Sequence, residues 1–540
     1  MGISFDGGFW GALARIIVGF NHFVLVYFAM INLGYLAIFA VSLQELWRFV
    51  QRSFFSDYDQ IRQSDLTLPV SLLVPAYNEA TTIVESVRSL LKLNYGQYEI
   101  IIINDGSKDE TLATLMRAFD LQRWETPVRR KLRSRPIRAV YRSMQHPNIV
   151  VLDKERGGKS DALNAGLDAS RYPLFCSIDA DSIIESDALL RLVKPFIESP
   201  QETVAAGGIV RVANGCRVED GRVTEVRLPR SRLAVMQVVE YLRAFLAGRA
   251  GWSAARSLLI ISGAFGMYRK QEIVDIGGYS SSTDTEDAEL IVRLHRAMSD
   301  RRQPYRIVFV PDPVCWTEVP ETWKVLTTQR SRWHRGLLQT LWLYRGMIFR
   351  RRYGAAGMFG MPWFIAFELL GPVVEIVGYV LIPLAWYVGI LDRTFMVLFL
   401  VIAFVMGALL SVGALLLEEM AFRRYPTWRD LLRLLAYGFL ENFGFRQYMS
   451  FVKVRALFEA LWRKAGFRRS DGREAGRTRA IARRRVSRGM RQIVPPDRDA
   501  STRIPPWPRD SRACCRSRTA GPRSGRRIPA PPEAAPRSRR

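Results

Sequence analysis

Residues 23–43, FVLVYFAMINLGYLAIFAVSL, run for 21 positions without a charged side chain. At about 1.5 Å per residue, a helix of that length covers a hydrocarbon core about 30 Å thick, so this stretch predicts a membrane-spanning helix. It is too long for a signal-peptide core, has no small-residue cleavage site and runs into Arg48 and Arg52, which predicts an uncleaved anchor. The residues before it, with Asp6 and Arg15, are expected to form an interfacial helix. Two further apolar stretches, 363–391 and 394–417, are separated only by Asp392 and Arg393 and predict a helical hairpin. Arg345 and Arg350 to Arg352 precede the pair and Arg423 and Arg424 follow it, which puts both flanks in the cytoplasm. Residues 431–462 also carry apolar runs, but Arg433, Glu441, Lys453 and Arg455 favour helices in the membrane plane or re-entrant ones over another crossing. Glu368 and Glu375 lie seven residues apart on one helix face, where a carboxylate either lines a wet channel or pairs with a neighbouring helix.

The net charge of +27 does not point to a nucleic-acid binder. Residues 468–540 hold 22 Arg, no Lys and 6 acids, which is +16 and leaves +11 for the rest. That Arg/Pro-rich tail has almost no periodic apolar content and is expected to be disordered; its composition equally suits a translated GC-rich frame. The five cysteines, at 176, 216, 315, 514 and 515, show neither C-x-x-C pairs nor regular spacing, so a disulfide scaffold and a zinc ribbon are excluded. Cys176 and Cys315 sit in strand-like apolar runs and are expected in the core. Domain boundaries follow as 1–52 for the N-terminal helices, 53–335 for a cytoplasmic domain, 336–467 for interfacial and spanning helices, and 468–540 for the tail.

Between 70 and 330 the pattern changes to short apolar runs alternating with amphipathic stretches, the α/β signature of a mostly parallel sheet. Such sheets bind ligands beyond the carboxyl ends of their strands. VSLLVPA is followed by Tyr77-Asn78-Glu79, YEIIII by Asn104-Asp105-Gly106-Ser107, IVVLD by Arg156-Gly157-Gly158-Lys159, and LFCSI by Asp179-Ala180-Asp181. A D-x-D alone says little, since 57–59 and 497–499 also have it, but neither ends a buried apolar run. Carboxylates, glycines and a lysine at four strand ends suit a diphosphate held with Mg²⁺ or Mn²⁺. The G-x-x-x-x-G-K-[ST] loop of ATPases is absent. The four histidines are unclustered, which argues against a His metal site; His334 alone borders a motif and could touch acceptor or phosphate.

PAYNE, NDGS, GGKSDALN and DAD, with SGAFGMYRK from 262, Thr285-Glu286-Asp287 and Gln329-x-x-Arg332-Trp333, resemble the membrane-embedded processive branch of glycosyltransferase family 2, which includes cellulose, chitin, hyaluronan and poly-N-acetylglucosamine synthases. The resemblance spans about residues 20–460 with the motifs in order. It implies a GT-A (Rossmann-like) cytoplasmic domain combined with transmembrane and interfacial helices. It also implies inverting transfer from a UDP-sugar donor, with N-acetylglucosamine preferred, onto a β-linked polysaccharide acceptor exported through the bilayer of a bacterial inner membrane. By the same resemblance Tyr77, Glu79, Asp105 and Lys159 lie on the donor, with Asp105 at uracil or ribose. Asp179 and Asp181 hold the metal, and Asp287, with Glu286 beside it, is the catalytic base. Gln329 and Arg332 reach the pyrophosphate end, and Trp333 is the acceptor platform.

Two other readings stay open: single addition to a lipid-linked acceptor, and a non-catalytic sugar-binding or membrane-adaptor subunit. The [DN]-x-S-x-x-G half of a cyclic-di-GMP module is absent, so regulation of that kind would require an accessory membrane subunit.

Overall fold

The computed structural model describes residues 9–54, 67–387, 389–390, 393–401, 405–422, 424–425 and 427–467. Asp6, Asp392, Arg423 and the tail 468–540 lie outside them. Helix α1 runs unbroken over Phe9–Phe54. This corrects the expectation of a separate interfacial helix: Arg15 lies on the same helix as the apolar stretch, because no proline interrupts it and the isolated glycines Gly11, Gly19 and Gly34 each cost too little to break it. Within it, Arg15–Gln51 is long and apolar enough to cross a membrane.

The aliphatic runs of the next segment pair into one ten-stranded sheet. Its strands are β1 (Val70–Ala76), β2 (Tyr98–Asn104), β3 (Leu121–Arg123), β4 (Ile137–Ser143), β5 (Ile149–Lys154), β6 (Leu174–Ile178), β7 (Ile183–Ile184), β8 (Thr203–Val212), β11 (Phe265–Arg269) and β12 (Arg306–Thr317). A separate hairpin of β9 (Arg217–Glu219) and β10 (Arg222–Glu225) stands apart. The order is β3-β4-β5-β2-β1-β6-β11-β8-β12-β7, and the parallel sheet expected from the strand–helix alternation is its centre, β5-β2-β1-β6. Antiparallel β11 sits between β6 and β8, which puts β8, and β12 beside it, parallel to the centre. Central strands are apolar on both faces because helices cover both: Leu72, Ile100, Ile102 and Phe175 are fully buried, as are Cys176 and Cys315. The register aligns Ala76 with Asn104 and Asn104 with Asp153, so the carboxyl ends of the central strands finish level.

Helices α2 (Lys159–Ala169), α3 (Glu286–Arg301) and α4 (Trp323–Leu343) carry the remaining motifs. The expected boundary at 335 falls inside α4. Helix α5, Ala356–Tyr387, is the second helix long and apolar enough to cross a membrane. It begins before the expected 363, because π-helical turns at Ala356–Gly360 and Phe364–Leu369 carry it past Pro362. The stretch 394–417 falls on Arg393–Leu400 and on α6 (Met406–Ala421), with 402–404 outside the described residues. Residues 431–462 are two helices, α7 (Trp428–Leu440) and α8 (Phe445–Phe467), parted at Gly444. Both carboxylates of α5 are paired rather than free: Tyr35 of α1 donates to Glu368, and Glu375 accepts from Arg446 (2.6 Å) and from Ser450.

Candidate active site

The site is built on the level strand ends. After β1 the chain turns at Asn78, held at φ 58° by its own side chain, which accepts from the Lys108 N–H at 2.9 Å. Glu79 follows, its carboxylate taking a hydrogen bond from Thr82 Oγ1 (2.9 Å); burial, then Asp179 and Asp109, raise its pKa. Asp105, at the end of β2, is 4% exposed and faces inward. Its Oδ1 accepts from Lys154 Nζ (2.6 Å) and the Gly157 N–H (2.9 Å), and its Oδ2 from the Gly158 N–H (2.7 Å). Asp105 is thereby the anchor of the 156–158 loop that delivers Lys159. The glycines are dictated by geometry: Gly158 has φ +91°, and a Cβ on Gly157 would lie 2.3 Å from the Asp161 carboxylate. Arg156 lies with its guanidinium carbon 4.0 Å from the Tyr77 ring centroid.

Lys159 opens α2 and brings two motifs together. Its Nζ is 2.5 Å from Asp179 Oδ1 and 3.3 Å from Glu286 Oε1. Burial alone would lower its pKa, but Asp179 and Glu286 outweigh that and hold it well above the ordinary lysine value. Asp181, two residues on, is pushed up to about 7 by burial, then by Asp179 and Glu79.

The three acids that open α3 separate as helical spacing requires. Glu286 turns to Lys159. Asp287 accepts from the Gly263 N–H (3.1 Å) and the Ala288 N–H (2.8 Å). Glu289 is buried on Arg293 Nε (3.0 Å) and Tyr344 (2.5 Å), a structural pair. Burial, then the neighbouring Glu286, raise the Asp287 pKa, while Lys159 acts in the opposite direction.

Helix α4 is fastened to the approach to Asp287. Arg335 pairs with Asp284 (2.9 Å), Gln339 accepts from the Asp284 N–H (2.7 Å), and a Cβ on Gly336 would lie 2.2 Å from Thr285 Oγ1. One turn earlier, half-buried Trp333 has the Arg330 guanidinium 4.2 Å from its ring centroid, and Arg330 is itself held by Glu240 at 2.7 Å. Gln329 Oε1 is buried with no hydrogen-bond partner among the described residues, and Arg332 is exposed. His334 is 4% exposed, and burial lowers its pKa to about 3, so it stays neutral.

Lys159, Asp179, Glu286 and Asp287 thus converge, with Asp181 and Glu79 along the adjoining strand ends. Lys154, Arg330, Arg335 and Gln339 were not anticipated from the sequence. Lys154 had the one readable signal, since it ends a buried run level with the other strand ends. Among the described residues no group of three or more His, Cys, Asp or Glu could hold a metal alone.

A sheet of this order, with carboxylates and a glycine–lysine loop at the ends of its parallel strands, defines a GT-A glycosyltransferase. Residues 71–246 match the model of glycosyl transferase family 2, and residues 174–412 match that of glycosyl transferase family group 2. The two matches together run over residues 71–412, and over them the chain is similar to glycosyl transferase family 2. It is 28% identical over 268 residues to the poly-beta-1,6-N-acetyl-D-glucosamine synthase of Staphylococcus aureus (strain COL), covering 49% of this chain and 54% of that protein. The Staphylococcus epidermidis synthase is also 28% identical, over 278 residues, with 51% and 56% covered. The chain therefore spans about half the length of the curated relatives it matches. Among solved structures, the mannosyltransferase PcManGT from Pyrobaculum calidifontis in complex with GDP-Man and Mn²⁺ is 18% identical, with a TM-score of 0.42 over 76% of this chain and 99% of that one.

Proposed function

We propose that the protein is an inverting, processive synthase that adds N-acetylglucosamine from UDP-N-acetylglucosamine to a growing β-linked polysaccharide. In this reading α1 and α5 cross the inner membrane of a bacterium, the sheet domain is cytoplasmic, and the product leaves past the membrane helices. The observation that carries the proposal is the placement of Asp287, a half-buried carboxylate with a raised pKa, beside the Lys159–Asp179 pair, with Thr285 just before it set against Gly336 of α4, one turn along from Trp333. The staphylococcal synthases support N-acetylglucosamine as the sugar.

Tyr77 and the loop anchored by Asp105 receive the nucleotide, and Lys159 approaches the diphosphate. Asp287 takes the proton of the acceptor hydroxyl. That oxygen bonds to the sugar C1 as the C1–O bond to the diphosphate breaks, its electron pair leaving with UDP; attack opposite the leaving group inverts C1. Trp333 presents a flat ring to the C–H face of the acceptor sugar, with Arg330 behind it. Mg²⁺ or Mn²⁺ would be held by Asp179 and Asp181, with diphosphate oxygens completing a hard oxygen shell. The residues fit such an ion: Asp179 and Glu79 both act on half-buried Asp181 and raise its pKa, a repulsion that a divalent cation beside Lys159 would relieve further. When bound, the ion supplies neutralisation of the departing diphosphate.

Inverted membrane vesicles, supplied separately with labelled UDP-N-acetylglucosamine, UDP-glucose and UDP-glucuronate plus either metal, test the proposal. High-molecular-weight product from UDP-N-acetylglucosamine is expected. A short lipid-extractable product would replace processivity with single addition, and polymer from another donor would replace the sugar.

A further inference from the structure

Away from the strand ends just described, a second cavity of about 980 Å³ opens between the last turns of α1 and the start of β12. Since β12 runs parallel to the central strands, its first residues lie at the edge of the sheet opposite the catalytic motifs. The remaining walls come from residues 191–198, 250–256, the end of α3 and residues 351–355.

Eight Lys and Arg line this hollow against two acids, Glu45 and Glu198. Some of the cations are accounted for: Arg191 pairs with Asp312 at 2.6 Å and Arg352 with Asp300 at 2.9 Å. Arg256, Arg302, Arg306 and Arg351 have no carboxylate partner among the described residues, and Arg306 reaches only Ser199 Oγ at 3.2 Å. These four exposed guanidinium groups leave the hollow with a surplus of positive charge, which favours an anion there. Their planar forks match phosphate oxygens. The lining also carries apolar side chains, Val41, Leu46 and Phe49 of α1 and Phe309 of β12. Residues 41–43 end the apolar stretch of α1 and 44–49 follow it with Glu45 and Arg48, where a crossing helix would leave the hydrocarbon for the headgroup layer. Basic pockets at that depth recognise anionic lipid headgroups.

We propose that this cavity binds an anionic phospholipid, its phosphate on Arg302, Arg306 and Arg351 and its acyl chain along Val41 and Phe49. The site is separate from donor and acceptor, and it rests on the reading of α1 as a membrane crossing but not on the identity of the sugar.

The test uses the full-length protein reconstituted in phosphatidylcholine vesicles with or without phosphatidylglycerol. Retained lipid is counted by native mass spectrometry after detergent extraction, for wild type and for Arg302→Gln/Arg351→Gln. Wild type is expected to retain phosphatidylglycerol over phosphatidylcholine, and the double variant to lose that preference by roughly thirtyfold, from the loss of two charges at the surface. Arg302→Lys/Arg351→Lys, which keeps the charge, is expected to retain most of it. Equal retention by wild type and the Gln variant would overturn the site. Displacement of phosphatidylglycerol by glycerol phosphate as effectively as by the lipid would reassign the cavity to a soluble phosphate. Should the Gln variant fail to fold, photo-crosslinking of a phosphatidylglycerol analogue to wild type decides the matter: label on residues 41–49 or 302–310 supports the site, and label elsewhere overturns it. Failure to enter vesicles at all would instead count against the membrane reading of α1.

Discussion

Lys154→Met removes a cation that is wholly inside the protein. Its side chain is 0% exposed, and its three protons are matched by three acceptors, Asp105 Oδ1, Asp161 Oδ1 and the Glu155 carbonyl, each at 2.6 Å. Methionine fills nearly the same volume, so the change is electrostatic: two carboxylates, 6% and 18% exposed, lose their counter-charge. Breaking a buried pair in this way costs about 3–5 kcal/mol. Each kcal/mol lowers the Tm of a domain of roughly this size by about 2–4 °C, so thermal unfolding in detergent should fall by roughly 6–20 °C. Because Asp105 also receives the Gly157 and Gly158 N–H groups, the loop that carries Lys159 should loosen, and the donor KM should rise more than kcat falls. Lys154→Met/Asp161→Asn, which removes one of the stranded charges, should be less destabilised than the two single changes predict by addition. A Tm for Lys154→Met within about 2 °C of wild type, on that same scale, with an unchanged donor KM, would refute the reasoning.

Three further outcomes are expected. Asp287→Asn should lower transfer by about 10²–10⁴-fold, the usual range for losing a general base, while UDP binding measured by calorimetry stays near wild type. Gly336→Ala places a Cβ 2.2 Å from Thr285 Oγ1 and so pushes α4 off the residues before Asp287; kcat should fall with donor affinity kept, and Thr285→Ser should recover little, because it leaves the oxygen in place. His295 is neutral inside the protein, its two nitrogens bound to Leu258 O (2.9 Å) and Tyr305 (2.8 Å), and burial lowers its pKa to about 4. A histidine with a lowered folded-state value contributes its full stability above the unfolded value of about 6.5, and loses about 1.4 kcal/mol per pH unit as pH falls from there to about 4. Denaturant unfolding of His295→Gln should lose that slope.

The strand ends were legible because each follows an uninterrupted aliphatic run, and a buried parallel strand leaves only its carboxyl end for ligands. VSLLVPA and YEIIII therefore put Tyr77, Glu79 and Asp105 just past the ends of β1 and β2. Lys154 was passed over because a lysine at a strand end ordinarily marks solvent, and its burial depends on Asp105 and Asp161, which reach it from elsewhere in the chain. The straps Arg335–Asp284 and Gln339–Asp284 join residues some fifty positions apart and leave no periodic trace. For Glu375 the seven-residue spacing from Glu368 allowed either a channel or a pairing. Arg446, three helices further along at the start of α8, decides for pairing.

The position of β11 also fixes an order of assembly. Strand β8 is buried at all ten positions, yet both its neighbours, β11 and β12, begin only at Phe265 and Arg306. During synthesis TVAAGGIVRV must wait, with both edges unpaired, while more than fifty residues follow. Unpaired apolar strands held open in this way are where nascent chains aggregate. A chain cut anywhere between 212 and 265 keeps that strand and loses both partners, so soluble fragments of the domain must either stop before Thr203 or continue through β12.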